Sequence, residues 1–408
     1  MNDLLELQIT GMAFGGEAMA RRADGRVVFV AGCLPGERVL AQVIEEKRGF
    51  VRASLVEILD PSPERILPKC KHFGVCGGCH YQFLAYQRQC EIKRQILIDQ
   101  LSRIANIQNP PVKPLQPAPN EWHYRNTVQF HLSSDGKVGY QKAGSNEVVA
   151  IQECYLPEPP LDELWKMLDL DAIPGLQRIS LKIGSAQNLM VVLEGTDPTP
   201  PEFSVDIPLS CVYHSPAGEV VLAGDPALMM EVNHRKFQVS AGSFFQVNTA
   251  QAGAMVRYLL QRLPLTRRMT LLDVYCGVGL FSAFLAEKVE HCIGIEVSPS
   301  ACEDFTFNLD RYDHVDLYQG KAEDILPNLA IRADVVLVDP PRAGIEVAAR
   351  RAIERLNPAM IAYISCDPAT LSRDARGFLA YGYHLVEVVP FDLFPQTYHL
   401  ESISFFER

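Results

Sequence analysis

No stretch of these 408 residues approaches the roughly 18 uninterrupted apolar positions that a membrane span requires. The opening residues, MNDLLELQITGMAFGG, lack the basic region and apolar core of a secretory leader. A cytoplasmic protein with no membrane partner is expected, in a compartment that keeps thiols reduced. The eleven cysteines therefore call for an explanation other than disulfides. Positive charge is also short: 38 Lys and Arg stand against 49 Asp and Glu, a net charge of −11. That balance argues against a general nucleic-acid binder. Internal repeats and low-complexity tracts are missing, and 48% hydrophobic with 21% charged residues excludes a disordered chain.

The length is too great for one core and predicts two or three domains. Residues 1–60 alternate short strands with glycine turns, as in LELQIT, GMAFGGEAMARR, GRVVFVAG, GERVLAQVIEEK and VRASLVEIL. Five such strands suggest a small OB-like barrel, a shape that often grips RNA. A central, β-rich domain is expected over 61–240. It opens with a cysteine-rich segment, continues into a helix around 82–106 that NPPVKPLQPAPN ends, and then runs through strands such as NTVQFHL and RISLKIG. From 241 to 408 buried strands alternate with helices, which predicts a doubly wound, Rossmann-like sheet and an α/β class overall.

Ligands of such sheets bind beyond the carboxyl ends of the strands. Asp273-Val-Tyr-Cys-Gly-Val-Gly279 ends a strand with a tight glycine turn, and Glu296 closes the next strand, placed to bond ribose hydroxyls. The run GVGLFS lacks the full dinucleotide fingerprint, so an adenosylmethionine fold fits better, with a dinucleotide enzyme left open. Asp339-Pro-Pro-Arg342 and Cys366-Asp367-Pro368 end two further strands. A cysteine is most often a small buried hydrophobe. At a strand end before a helix, however, the helix N-terminus would favour a nucleophilic thiolate. Glu401, on what reads as a final strand, would ordinarily be a solvated carboxylate. Upstream, Cys70, Cys76 and Cys79 form C-x5-C-x2-C, with Gly77 and Gly78 between them and Cys154 as the candidate fourth ligand. That spacing fits zinc or an iron–sulfur cluster equally.

CGGCHYQ, YRNTVQFH, SFFQVN, DVYCGVG, DPPR, SCDPATLSRD and FPQTYHLE, together with the N-terminal barrel, make the chain resemble the RNA uracil-carbon-5 methyltransferases. The likeness is strongest to the iron–sulfur branch that acts on 23S rRNA, in which the barrel is a TRAM domain. The resemblance covers nearly the whole chain and implies a class I methyltransferase domain using S-adenosylmethionine. It implies Cys366 as nucleophile, Glu401 as general base, Gln246, Tyr275, Glu296 and Asp339 as cofactor contacts, and a [4Fe-4S] cluster on Cys70, Cys76, Cys79 and Cys154. Carbon 5 of uracil is a poor nucleophile until a thiolate adds at carbon 6, and a base must then remove the carbon 5 proton. Leu280 and Asp367 replace the commoner Asn residues, and Asp367 adds a negative charge beside the thiol.

The expected substrate is 23S rRNA, with the tRNA T-loop as the alternative, and the expected state is a monomer. Nine Lys and Arg against four acids in 61–130 suggest where RNA is held, with Lys93 and Arg94 as phosphate contacts. A methyltransferase for proteins or small molecules would need neither the cysteine nor the extra domains. A non-catalytic RNA adaptor would need no Cys366–Glu401 pair.

Overall fold

The N-terminal strands are short because glycines break them. Strands Leu4–Gln8, Gly11–Met12, Glu17–Arg21, Val27–Ala31, Arg38–Glu46 and Phe50–Asp60 form one sheet. The count is six where five were expected, since GMAFGGEAMARR is not one strand. Gly15 and Gly16 take φ of 107° and 87° and fold it into a hairpin that pairs Gly11 with Met19. Alternating residues, among them Ala18, Ala20, Val28, Val30, Val39 and Val51, bury one face. The structure is a computed structural model that describes residues 4–408 apart from 134, 169–172, 174 and 203–205.

Helix α1 (Tyr86–Ile104) ties this sheet to the rest. Ile92 and Ile96 pack into the N-terminal core, whereas Leu97 and Leu101 pack into the core of the C-terminal sheet. The central sheet has seven strands, with Thr127–Leu132, Leu176–Ile183 and Leu189–Gly195 at its middle. A hairpin of Ala227–Val232 and Arg235–Ser240 follows and buries Met230, Val232, Phe237 and Val239 in the C-terminal core. The helix and the hairpin, both read from the sequence as parts of a central segment, thus complete the C-terminal layers.

The C-terminal sheet contains β1 (Thr270–Val274), β2 (His291–Glu296), β3 (Val315–Gln319), β4 (Val335–Val338), β5 (Met360–Ser365), β6 (His384–Phe391) and β7 (Glu401–Glu407). Their order is β3-β2-β1-β4-β5-β7-β6. The first five are parallel, and β7 enters antiparallel between β5 and β6. β4 and β5 are buried along their whole length, as strands covered on both faces must be. Helices α2 (Pro299–Leu309), α3 (Val347–Leu356) and α4 (Pro368–Ala380) flank the sheet. The order in which strands join the sheet reverses between β1 and β4, and the crevice at that switch point holds the active-site cavity described below. Among the described residues, no helix is long and apolar enough to cross a membrane.

Candidate active site and the cysteine cavity

Beyond the carboxyl ends of β1, β2, β4 and β5 lies a cavity of about 780 Å3, a size typical of small-molecule sites. Its walls include Gln246, Tyr275, Glu296, Asp339, Arg342, Cys366, His399 and Glu401. The structure therefore gathers all six predicted catalytic and cofactor residues around one space.

The two glycines of the loop after β1 do different work. Gly277, at φ 54°, faces open space, so a ligand can approach its backbone. A side chain on Gly279, at φ 84°, would lie 2.4 Å from Leu309 and 2.9 Å from Phe305. Gly279 thus serves close packing on α2 rather than ligand approach. Tyr275 is also left-handed, at φ 67°, with its N–H donating 2.8 Å to the Ile295 carbonyl. A tyrosine held there stores backbone strain at the cavity wall. Glu296 is fixed by three backbone donors: Gly277 N–H at 2.9 Å and Val297 and Ser298 N–H at 2.8 Å each. Oε1 takes the last two of these bonds, and Oε2, which accepts only from Gly277, keeps a lone pair for a hydroxyl donor. Gln246 is buried, and its carbonyl accepts from Asn126 Nδ2 at 2.9 Å, which explains the asparagine in YRNT. Leu280 is buried in the wall and offers no polar contact.

Strand register creates the catalytic pairing. Ser365 of β5 lies opposite Ser402 of β7, which brings Cys366, just past the end of β5, and Glu401, the first residue of β7, to the same cavity wall. Glu401 is buried, not solvated as a lone terminal carboxylate would be. Burial, and then the neighbouring Asp339, hold its carboxyl well above the usual range, with Arg342 opposing. Burial together with Asp273 and Glu296 raises Asp339 to about 7.

The expectation that the helix N-terminus activates Cys366 is corrected. Burial, followed by Glu401 and Asp339, pushes this thiol up to about 12. The helix donors are already used: Asp367 caps α4, its Oδ1 accepting from Ala369 and Thr370 N–H at 2.9 Å each. Arg342, read in the sequence only as part of a rigid loop, is the cation that favours ionisation of both Cys366 and Glu401. DPPR was the available signal for it, and the arginine was the residue to weigh.

A second cavity gathers Cys70, Cys76, Cys79 and Cys154 with Tyr140. All four thiols are free. Gly77 lets the loop lie on the central sheet: its N–H donates 3.0 Å to the Gln141 carbonyl, and a Cβ there would sit 2.6 Å from that oxygen. Gly78 N–H donates to Cys76 Sγ at 3.4 Å. Among the described residues, no group of three or more His, Cys, Asp or Glu is close enough to hold a single metal ion.

Only part of the basic stretch of 61–130 is turned inward: Lys69, Lys71, Arg103 and Lys113 are exposed, whereas Lys93 and Arg94, expected as phosphate contacts, are taken up by internal partners. Lys93 is fully buried, with Nζ 2.6 Å from Asp392 Oδ1 and 3.0 Å from the Phe394 carbonyl. Arg94 donates to the carbonyls of Lys113 and Val112 at 2.9 and 2.7 Å. Arg65 pairs with Glu37, Arg88 with Glu64 and Glu91, and Lys113 with Glu387. Helical spacing gave no warning, because the partners come from loops and strands remote in sequence.

Comparison with known proteins agrees with this geometry. A family model described as tRNA (Uracil-5-)-methyltransferase matches residues 223–408, and a TRAM domain matches residues 3–56. An RNA methyltransferase of Streptomyces avermitilis, itself uncharacterized, is 34% identical over 441 residues, covering 100% of this chain and 99% of its own. One from Thermosynechococcus vestitus is 33% identical over 436 residues, covering 98% and 97%. The crystal structure of Pyrococcus abyssi tRNA (uracil-54, C5)-methyltransferase, in complex with S-adenosyl-L-homocysteine, superposes with a TM-score of 0.74 at 22% identity. It covers 98% of this chain and 100% of that one, and shows the shared fold.

Proposed function

This chain belongs to the family of TRAM-bearing RNA uracil-5-methyltransferases, and we propose that it methylates carbon 5 of a uridine in RNA through a covalent cysteine adduct. The observation that supports the reading is that Cys366 and Glu401, which flank the Ser365–Ser402 pair of β5 and β7, line one cavity with Glu296, Gln246 and Asp339.

The residues fit S-adenosylmethionine. Open backbone at Gly277, the anchored carboxylate of Glu296 and the polar side chains of Gln246 and Asp339 suit an adenosine nucleoside carrying a cation. When bound, that cofactor supplies an electrophilic methyl and a positive charge. Asp339, Glu401 and Cys366 are all biased towards holding their protons, through burial and then the repulsion of neighbouring carboxylates. A positive charge among them draws each towards its ionised form. The Cys366 thiolate then adds to carbon 6 of the uracil, which places the electron pair on carbon 5 for methylation. Ionised Glu401 removes the carbon 5 proton, the carbon 6–sulfur bond breaks, and the thiolate leaves. Arg342 offsets the negative charge that Cys366 and Glu401 would otherwise present to each other.

The four-cysteine cavity supports a [4Fe-4S] cluster on Cys70, Cys76, Cys79 and Cys154. Zinc holds sulfur at about 2.3 Å and gathers its ligands tightly. A four-iron cube would take one thiolate on each iron, and what supports the reading is that four free thiols line one cavity. Methyl transfer consumes no electron, so the cluster's role is structural, and the cluster-bearing resemblance favours 23S rRNA as the substrate. The tRNA uridine-54 reading is retained because the archaeal tRNA enzyme shares the fold over 98% of this chain.

RNA containing 5-fluorouracil tests the proposal. Fluorine cannot leave carbon 5 as a proton does, so with S-adenosylmethionine the wild-type protein should form a covalent RNA adduct resistant to denaturant. No adduct with either rRNA or tRNA transcripts would overturn the mechanism.

A further inference from the structure

An enzyme with net charge −11 that acts on RNA must hold phosphate somewhere, and Lys93 and Arg94 of the 61–130 stretch are spent on internal contacts. Positive charge collects elsewhere. Between α3 and α4 lies a cleft of about 340 Å3 lined by Arg350, Arg351, Arg373 and Arg376, with Gly377 on its floor. Among the described residues, no acidic side chain lines it. Arg350 has Glu354 at 3.7 Å, and Arg373 has Asp374 at 2.9 Å. Arg351 and Arg376 are exposed and form no ion pair among the described residues.

Two features mark the cleft as built rather than incidental. Gly377 lies inside α4, where glycine is a poor helix former. A Cβ at that position would fall 1.1 Å from Arg350 Nη1, so the room left by the missing side chain is filled by a guanidinium. Placing that cation takes precedence over helix propensity. The cleft also adjoins the active site: Arg373 Nη2 donates 2.8 Å to the Ala343 carbonyl, and Ala343 and Gly344 line the cavity that holds Cys366. Both helices start at that rim, α4 directly behind Cys366 and α3 behind the Asp339–Glu346 loop. Arg342 in the cavity wall continues the series.

We propose that this arginine cleft binds the phosphate backbone of the RNA next to the uridine that enters the active site. The inference rests on the RNA-methylation reading above. Guanidinium groups present paired donors that match phosphate oxygens, which makes arginine suited to such a track. Contacts of this kind position the strand without reading its sequence.

The test uses the full-length, cluster-containing protein with Arg351→Glu/Arg376→Glu. Its control is Arg267→Glu/Arg268→Glu, an equal change of charge at exposed positions before β1, at the amino end of the sheet. RNA affinity is measured across a salt series, S-adenosylmethionine affinity by calorimetry, and the 5-fluorouracil adduct at saturating RNA. The cleft variant should bind RNA at least about tenfold more weakly at low salt. Its slope of log K against log salt should fall by about 1.4, at about 0.7 for each single-strand phosphate that the two arginines no longer neutralise. Cofactor affinity and adduct yield at saturation should not change, and the control should lose less than about threefold in RNA affinity. Equal losses in cleft variant and control, or an unchanged slope in the cleft variant, would overturn the proposal. If the wild type forms the adduct, that result strikes this inference alone; a wild type without an adduct strikes the catalytic reading beneath it.

Discussion

Alkylation of Cys366 gives a quantitative check on the site's electrostatics. With the thiol raised from 9.0 to about 12, its thiolate fraction near pH 8 is about a thousandfold below that of an ordinary cysteine. A more basic thiolate is also a better nucleophile. With a Brønsted coefficient of about 0.4–0.5, that gain recovers roughly 15- to 30-fold. Thiolate scarcity wins, and iodoacetamide should modify Cys366 roughly 30- to 60-fold more slowly in the folded protein than in the same chain unfolded by urea. Peptide-level mass spectrometry after timed pulses separates this thiol from the other ten. The sign with pH is fixed: because the neutral form is favoured, the rate should climb nearly tenfold per pH unit from about 7 to 10, levelling only near about 12. S-adenosylmethionine should accelerate the reaction relative to S-adenosylhomocysteine, which has nearly the same shape without the charge. Modification at the unfolded rate, or a flat profile between pH 7 and 9, would show that the thiolate is already formed and that the repulsion from Glu401 and Asp339 has been misjudged.

Glu401→Gln should let methylation proceed while slowing proton removal, so a methylated RNA–protein adduct should accumulate on denaturing gels; free turnover without an adduct would assign the base to another group. Lys93→Met leaves Asp392 as an unpaired buried charge and should cost about 3–5 kcal/mol in urea unfolding, with Lys93→Met/Asp392→Leu recovering part of it. A loss under about 1 kcal/mol would mean that Asp392 finds another partner. Anaerobically purified protein should be brown with about four irons per chain, and Cys76→Ser should bleach it; a colourless, active protein with stoichiometric zinc would refute the cluster.

Local chemistry made much of the site legible. The turn at Asp273–Gly279, the strand-end Glu296 and the Cys366–Pro368 strand-to-helix junction are short-range patterns, and each lies where its pattern put it. What escaped the sequence depends on pairing between remote segments. Glu401 is buried because β7 inserts between β5 and β6, an arrangement that no window around residue 401 encodes. Lys93 looked like a surface cation because its partner, Asp392, lies 299 residues away. Asp367 does burden the Cys366 thiolate, behind burial, Glu401 and Asp339, but it is also a helix cap, and by taking the first backbone donors of α4 it leaves Cys366 without their help. Charge counting misplaced Arg94 for a related reason, since a sum over residues 61–130 cannot tell a solvated arginine such as Arg103 from one that ties carbonyls together.

Helix α1 has a consequence for how such proteins can be recombined. The N-terminal sheet ends at Asp60, and a cut there would seem to release a portable module. Its interior, however, is closed by Tyr81, Phe83, Leu84, Ile92 and Ile96, all beyond that cut. A graft joined at residue 60 would carry a barrel with an open floor and leave its recipient with a helix stripe facing nothing. The smallest exchangeable piece runs to the end of α1, and it brings Lys93, Leu97 and Leu101 with it. A chimera would thus succeed or fail on whether the incoming helix fits the recipient's Asp392 and the apolar face of α4.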